Sequence, residues 1–368
     1  MIYLDNGATS FRKPAAVYRA VEQAMHSCAN PGRGGYAAAM KASRKLYACR
    51  EAASNLFDCK PEQVVLTGNC THGLNIAIRS LVKPGSRVVI SGFEHNAVTR
   101  PLRALGAEIQ VAGRKLFDWT DTLEAFERAV KNADAAVFTH VSNVFGYILP
   151  VEEMARMCRE RGIPFILDAA QSAGSLPVCL KESGASFIAM PGHKGLLGPQ
   201  GTGLLLCAES AQPLLYGGTG SASISQEMPE DIPERLEAGT LNVPGYAGLT
   251  EGLRCLKQRG IEAIHKQEHR QMKRCAQGLE NLGMQVFSGS HQAATVSFLP
   301  GMDCEEAAAI LAKQGIAIRA GLHCAPLAHE SAGTLETGTL RVSFGQDASD
   351  AQTDGFLRAV SKLPRFYH

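Results

Sequence analysis

Between about residue 14 and residue 207 the chain alternates short apolar runs with stretches of helical spacing. "PAAVYRAVEQAMHSC" has the apolar spacing of a helix, "QVVLTG" is a brief apolar run ending at Gly68, and "THGLNIAIRSLV" is helical again. "RVVISGF", "NAVTRPLRALG", "EIQVAG", "DTLEAFERAVK", "AAVFTHVSN", "VEEMARMCRERG", "PFILDAAQ", "FIAMPGHK" and "TGLLLC" continue the pattern. Short β-rich runs between amphipathic helices predict an α/β fold with a mostly parallel sheet covered on both faces. Such sheets bind ligands beyond the carboxyl ends of their strands. Here those ends carry "TGNCT", "SGFEHN", "HVSN", "LDAAQ" and "PGHK". After the aperiodic "LLYGGTGSASISQEMPEDIPERLEAGT" the pattern changes: a helical stretch over roughly 244–283, strands such as "ATVSFLP", "IAIRA" and "GTLRVSFG", then a terminal helix in "DASDAQTDGFLRAVSKL". That part reads as a smaller α+β domain, and no internal repeat is visible.

The length, 368 residues, suits two domains or one large one with an appendage. A net charge of +2 provides no basic stripe for nucleic acid. No apolar run is long enough to span a bilayer, and "MIYLDNGATS" lacks the features of a signal peptide. Eleven scattered cysteines without a C-x-x-C pair argue against zinc ribbons and a disulfide framework, and for a reducing cytoplasm. No metal site is expected.

"PGHKGLLGPQGTG", residues 191–203, crowds five glycines around Lys194. Glycine lets another group approach the backbone, so the expectation is that these glycines clear room for something bulky bonded to the lysine. A buried lysine can form a Schiff base with an aldehyde. Thr71 stands where a helix starts after a strand, as an N-cap or as part of a phosphate cup. Asp168 ends another strand, as a cap or as an anion opposite a cation, and His95 ends a third. Taken together on one sheet, a lysine, a phosphate cup, a carboxylate and a flat ring point to pyridoxal 5'-phosphate.

At this point the chain resembles the class V aminotransferase-like family of pyridoxal-phosphate enzymes, and within it the cysteine desulfurases and selenocysteine lyases. The motifs are "YLDNGATS", "TGNCTHGLN", "EHNAV", "SNVFG", "LDAAQSAG", "GHKGLLGPQGTG", "RLEAGTLN" and "RAGLHCAP". The resemblance implies the fold type I architecture: a large domain with a mainly parallel seven-stranded sheet at residues 14–249, and a small α+β domain from residues 1–13 and 250–368. It implies that Lys194 carries the cofactor covalently, that His95 stacks on its ring and helps move protons, that Asp168 pairs with the ring nitrogen and that Gln171 bonds the phenolic oxygen. Thr71, the backbone of Cys70, and His193 would hold the phosphate, and Thr240 would reach the phosphate of a neighbouring subunit in a homodimer. Arg341, helped by Asn143, would take the substrate carboxylate. Pro191 stands where many members have a phosphate-binding hydroxyl, so that contact is expected to be missing. His72 replaces a common Glu, and Leu322 stands where a second His is frequent.

Cys324 lies in "RAGLHCAPLAHE", between Gly321 and Pro326, flanked by His323 and near Arg319. Positive neighbours raise a thiol's thiolate fraction, and the R-x-G-x-H-C-A surround matches the short-loop, group II desulfurases. The implied reaction takes L-cysteine to L-alanine and leaves a persulfide on Cys324, which is passed to an acceptor protein. Selenocysteine lyase, with L-selenocysteine as substrate, remains open. So do a transaminase or other lyase of the same fold and, from another class, a non-catalytic binding module.

Overall fold

The computed structural model describes residues 1–32, 34–220 and 224–364. Strand β1 (Ile2–Tyr3) and helices α1 (Ala15–Ser27) and α2 (Ala37–Phe57) open the chain. The alternation then runs β2 (Val64–Thr67), α3 (Cys70–Leu81), β3 (Arg87–Ser91), α4 (Asn96–Ala104), β4 (Glu108–Ala112), α5 (Trp119–Val130), β5 (Ala135–Thr139) and α6 (Val151–Glu160). It continues through β6 (Phe165–Asp168), the short α7 (Leu180–Ser183), β7 (Phe187–Pro191) and β8 (Gly203–Cys207). These strands form one seven-stranded sheet in the order β2-β8-β7-β6-β5-β3-β4. β8 is antiparallel to both neighbours, and the other pairings are parallel.

The stretch read as one helix over 244–283 is two, α8 (Val243–Arg259) and α9 (Ile261–Asn281). Gly260 divides them at φ +84°, a backbone state that only glycine adopts freely. β9 (Gln285–Phe287), β10 (Thr295–Leu299), α10 (Cys304–Lys313), β11 (Ile316–Ala317), β12 (Arg319–Gly321), α11 (Pro326–Ala332), β13 (Thr339–Ser343) and α12 (Asp350–Val360) complete the chain. β12, β13, β10 and β9 make an antiparallel sheet. β1 pairs with β11, which ties the N-terminus to the C-terminal unit.

Side-chain parity explains how the large sheet is covered. Val64 and Leu66 of β2 pack with Leu46 of α2, Phe126 of α5, Met154 of α6 and Leu253 of α8. Val65, between them, packs on the opposite face with Leu74 and Ile78 of α3 and Val98 and Leu102 of α4. Successive strand residues point to opposite faces, so a run buried on both sides must be apolar throughout. A separate core, including Leu4, Met272, Val296, Phe298, Leu340 and Phe356, fills the smaller unit.

The glycines around Lys194 have a different purpose from the one expected. A Cβ on Gly195 would stand 2.3 Å from the carbonyl oxygen of Ala173, and one on Gly192 would stand 2.1 Å from Thr202 Oγ1. The missing side chains make room for protein, not for a ligand: the loop is pressed against the segment after β6 and against its own return strand. The N-terminal segment holds it from a further side. Ser10 donates from N to His193 O and from Oγ to Lys194 O, each at 3.0 Å, and Lys13 Nζ donates to His193 O at 3.0 Å. Lys194 is thereby fixed beside the loop that carries Asp168. Gly195→Ala should lower stability in urea unfolding by about 1–3 kcal/mol, the usual cost of overpacking. Gly35→Ala, with nothing within 4 Å of the added carbon, should be near neutral.

Candidate active site

The loops after β2, β3, β5, β6 and β7 meet around one cavity that opens over about 650 Å³. Its lining includes Cys70, Thr71, His95, Asn143, Asp168, Gln171, His193 and Lys194. At one side is the start of α3. Its N-cap is Asn69, whose side chain accepts from His72 N at 2.8 Å, so Thr71 is not the cap. Thr71 instead sits exposed in the first turn, where helix N–H groups lack partners and favour an anion.

Asp168, at the end of β6, is buried; its Oδ1 accepts from Ala170 N at 2.9 Å and from the Cys70 thiol at 3.5 Å. Burial raises its pKa, opposed by the Ala170 N–H and by the charge of Lys194. Lys194 is held below an ordinary lysine: desolvation is the main cause, and Arg341 adds to it. His95 caps α4, with Nδ1 accepting from Ala97 N at 3.0 Å, so its proton is on Nε2. Burial, assisted by Lys194, lowers His95 to about 4, and burial lowers His193 to the same value. Both rings are neutral at ordinary pH. His193 Nδ1 lies 3.1 Å from Thr9 Oγ1, and Gln171 Nε2 donates to Gly7 O at 3.0 Å.

These donors match an aldehyde that also bears a ring nitrogen and a phosphate. The cavity offers an amine of lowered basicity, a buried carboxylate with one oxygen uncommitted, a neutral imidazole and a helix N-terminus. The residues present therefore fit pyridoxal phosphate.

Two expected residues stand just outside the cavity wall. Arg341 on β13 is buried and already engaged: Nη1 donates to Asn143 O at 2.9 Å and Nη2 to Asp5 Oδ1 at 2.7 Å. Its Nε and Asn143 Oδ1 are buried without partners among the described residues. Cys324 is the exposed member of the eleven free cysteines. Its carbonyl accepts from Asn96 N at 2.8 Å, and the carbonyl of His323 accepts from Asn143 Nδ2 at 2.7 Å. The thiol's loop is thus tied to the neighbours of His95 and to a residue of the cavity wall. His323 and Cys324 both have left-handed backbones, φ +49° and +58°, uncommon outside glycine and a recurrent mark of functional loops. The positive charge expected from His323 is absent, because burial, with Arg341 next, lowers its pKa to about 2. Thr240 does not reach this cavity within one chain; it lines another, with Tyr47, Arg50 and Glu237.

Sequence reasoning missed Asp5, which neutralises Arg341 from 336 positions away, and Glu94, which joins two strand ends. Glu94 Oε1 accepts from Ser91 Oγ and from Thr139 N. Both lie inside motifs already singled out, but the pairing of Asp5 with Arg341 and of Glu94 with Thr139 spans segments far apart, so spacing carried no signal.

A class-V aminotransferase family profile matches residues 2–356. A probable cysteine desulfurase of Pyrococcus abyssi is 31% identical over 99% of this chain and 94% of its own length. One from Methanothermobacter thermautotrophicus is 32% identical, covering 93% of this chain and 90% of its own. Among solved structures, the apo cysteine desulfurase of Thermococcus onnurineus superposes with a TM-score of 0.91 at 33% identity, over 98% of this chain and 94% of that one. The Escherichia coli cysteine desulfurase CsdA gives 0.85 at 26%, over 98% and 93%. The alternating sheet, the lysine loop and the gathered strand ends therefore have a common explanation: this chain belongs to the class-V aminotransferase family and is built like its cysteine desulfurases.

Proposed function

We propose that this protein is a pyridoxal-phosphate-dependent cysteine desulfurase that converts L-cysteine to L-alanine and takes the sulfur onto Cys324. The observation that carries the reading is the placement of Cys324: the exposed thiol among eleven cysteines, on a strained loop hydrogen-bonded to Asn96 and Asn143 beside the lysine cavity. A transaminase would have no use for it.

Lys194 would hold the cofactor, Asp168 its ring nitrogen, His95 its ring face and Gln171 its phenolic oxygen. Thr71, the start of α3 and His193 would hold the phosphate. Bound there, pyridoxal phosphate supplies a sink for the electron pair released at the substrate's α-carbon. Lys194 Nζ, held below ordinary lysine basicity, takes the α-proton. Asn143 Oδ1 and Arg341 Nε, both without partners, are free to orient the substrate. Cys324 Sγ bonds to the substrate sulfur as the substrate's Cβ–S bond breaks. The pair from that bond stays on Cβ, which takes a proton and becomes the methyl of alanine, and Lys194 returns the proton it held to the α-carbon. An acceptor then removes the outer sulfur from Cys324.

We further propose a homodimer in the cytoplasm, with Thr240 completing the partner's phosphate site. Support comes from Thr240 standing apart from its own lysine cavity and from exposed Tyr18, Met25, Tyr36, Met40, Tyr47 and Tyr216. Exposed large apolar residues such as these are what a partner surface would cover. The free state of all the cysteines suits a reducing compartment, and among the described residues no helix is long and apolar enough to cross a membrane. The division into a large unit at 14–249 and a small one at 1–13 with 250–368 is likewise proposed, on the separateness of the C-terminal core.

Lys194→Ala should lose covalent cofactor attachment, read as loss of borohydride-fixed label, together with nearly all turnover. Cys324→Ala should still take up cofactor and still change its absorbance with L-cysteine, yet form neither alanine nor a persulfide detectable by mass spectrometry. Wild-type alanine production by that variant would defeat the desulfurase reading in favour of a Cys324-independent lyase or transaminase. Retained activity on L-selenocysteine alone would favour a selenocysteine lyase. Thr240→Ala should weaken cofactor binding by about 1.5–3 kcal/mol, as expected for a charge-assisted hydrogen bond; full affinity in a stable monomer would contradict the shared site.

A further inference from the structure

A second cavity, opening over about 680 Å³, lies next to the first, and Ala170, Gln171 and Lys194 stand in the walls of both. Its lining includes Glu268 from α9, Arg12 from the N-terminal segment and Asp347 beyond β13. Glu268 is 6% exposed and makes no hydrogen bond or ion pair with any described residue. Arg259, at the end of α8, acts on it only by its charge, since its arms go to Gln267 and Gln346. Burial lifts Glu268 to about 8, Arg259 opposing and Asp347 reinforcing the rise.

A buried carboxyl without a partner costs stability. On α9 the other buried residues include Ile264, Met272, Cys275 and Leu279, so an apolar residue would pack there at no such cost. A local rule broken without structural gain is a mark of function. Arg12 is exposed and likewise makes no hydrogen bond or ion pair with any described residue, so among the described residues one cavity holds an uncommitted carboxyl and an uncommitted guanidinium. That pair is complementary to a small zwitterion. We propose that this cavity is a second binding site, for a small α-amino acid, with the ligand's ammonium on Glu268 and its carboxylate on Arg12. The proposal does not depend on the desulfurase reading.

The test is calorimetric titration of the full chain after borohydride treatment, which stops amino-acid chemistry at Lys194. L-alanine is the probe, with ethylamine lacking the carboxylate and propionate lacking the ammonium. Glu268→Gln should weaken L-alanine and ethylamine by roughly 10–100-fold, the worth of a charge-assisted hydrogen bond, and leave propionate unchanged. Arg12→Gln should weaken L-alanine and propionate and spare ethylamine. The pH dependence follows from Glu268, on which the charges of Arg259 and Asp347 act, while Arg12 and Lys194 line the same cavity. Its proton must leave before the ion pair forms, so L-alanine should bind more tightly as pH rises from 6 to about 8 in the wild type, and not in Glu268→Gln.

Folding is checked separately. A carboxyl whose pKa is raised on folding loses stability as pH climbs from the unfolded value of 4.5 towards about 8. Glu268→Gln should therefore be at least as stable as the wild type at pH 8, and Glu268→Met carries the same comparison if the glutamine variant fails to fold. Equal L-alanine affinity in wild type and variant, or no binding to the wild type, overturns the proposal.

Discussion

The rest of the structure depends on the burial of one mostly parallel sheet on both faces. Strands such as β5 and β7 are covered along their whole length, so no polar side chain can leave either face without desolvation. Chemistry is pushed to the strand ends. Because β5, β6 and β7 are neighbours and β3 lies beside β5, the loops bearing Asn143, Asp168, Lys194 and His95 come together without any of them contributing to the core. The close approach of Gly195 to Ala173 then locks the lysine loop against the aspartate loop. A side chain at that contact would separate the groups whose charges oppose each other most directly.

The electrostatics of the cavity follow from that burial. Its imidazoles, His95 and His193, are held neutral, while Lys194 and Asp168 each temper the other's desolvation. A neutral ring whose Nδ1 is occupied by a helix N–H can stack on a flat cofactor and exchange a proton only through Nε2. Arg341 is a different case. With Asp5 on one arm and the Asn143 carbonyl on another, it is held in place before any ligand arrives, and this fixed orientation reduces what a ligand must give up in side-chain entropy.

The fold was legible because strand and helix periodicities are local. A reader of "VVLTG" or "FILD" needs only a few residues to see a buried strand and its end. The assembly of Lys194, Asp168, His95 and Thr71 was legible for the same reason: each is adjacent to a strand end, and the topology of parallel sheets says where ends meet. Long-range pairings were not legible. The Arg50–Glu237 ion pair, 2.6 Å and largely buried, and the Arg341–Asp5 pair depend on segments far apart in sequence. The division at Gly260 was not legible because an isolated glycine inside helical spacing is tolerated at a modest cost and need not end the helix. The purpose of the glycines near Lys194 was misread because sequence shows that a close approach occurs, not what approaches.

The Cys324 loop shows how such distant contacts set the geometry of a thiol. His323 was expected to act on the thiol through charge, but it is buried against Thr339 and neutral. Its contribution is geometric. The ring anchors the loop to β13 and the carbonyl anchors it to Asn143, while the next carbonyl is held by Asn96 at the start of α4. Three tethers on two consecutive residues are what keep both in left-handed conformations that side chains disfavour. With the backbone so constrained, the one freedom left is the rotation of the Cys324 side chain, on the surface and beside the cavity. Under the proposed function, a thiol that has to meet a substrate inside and an acceptor outside would need that arrangement: a fixed backbone and a short side chain at the surface.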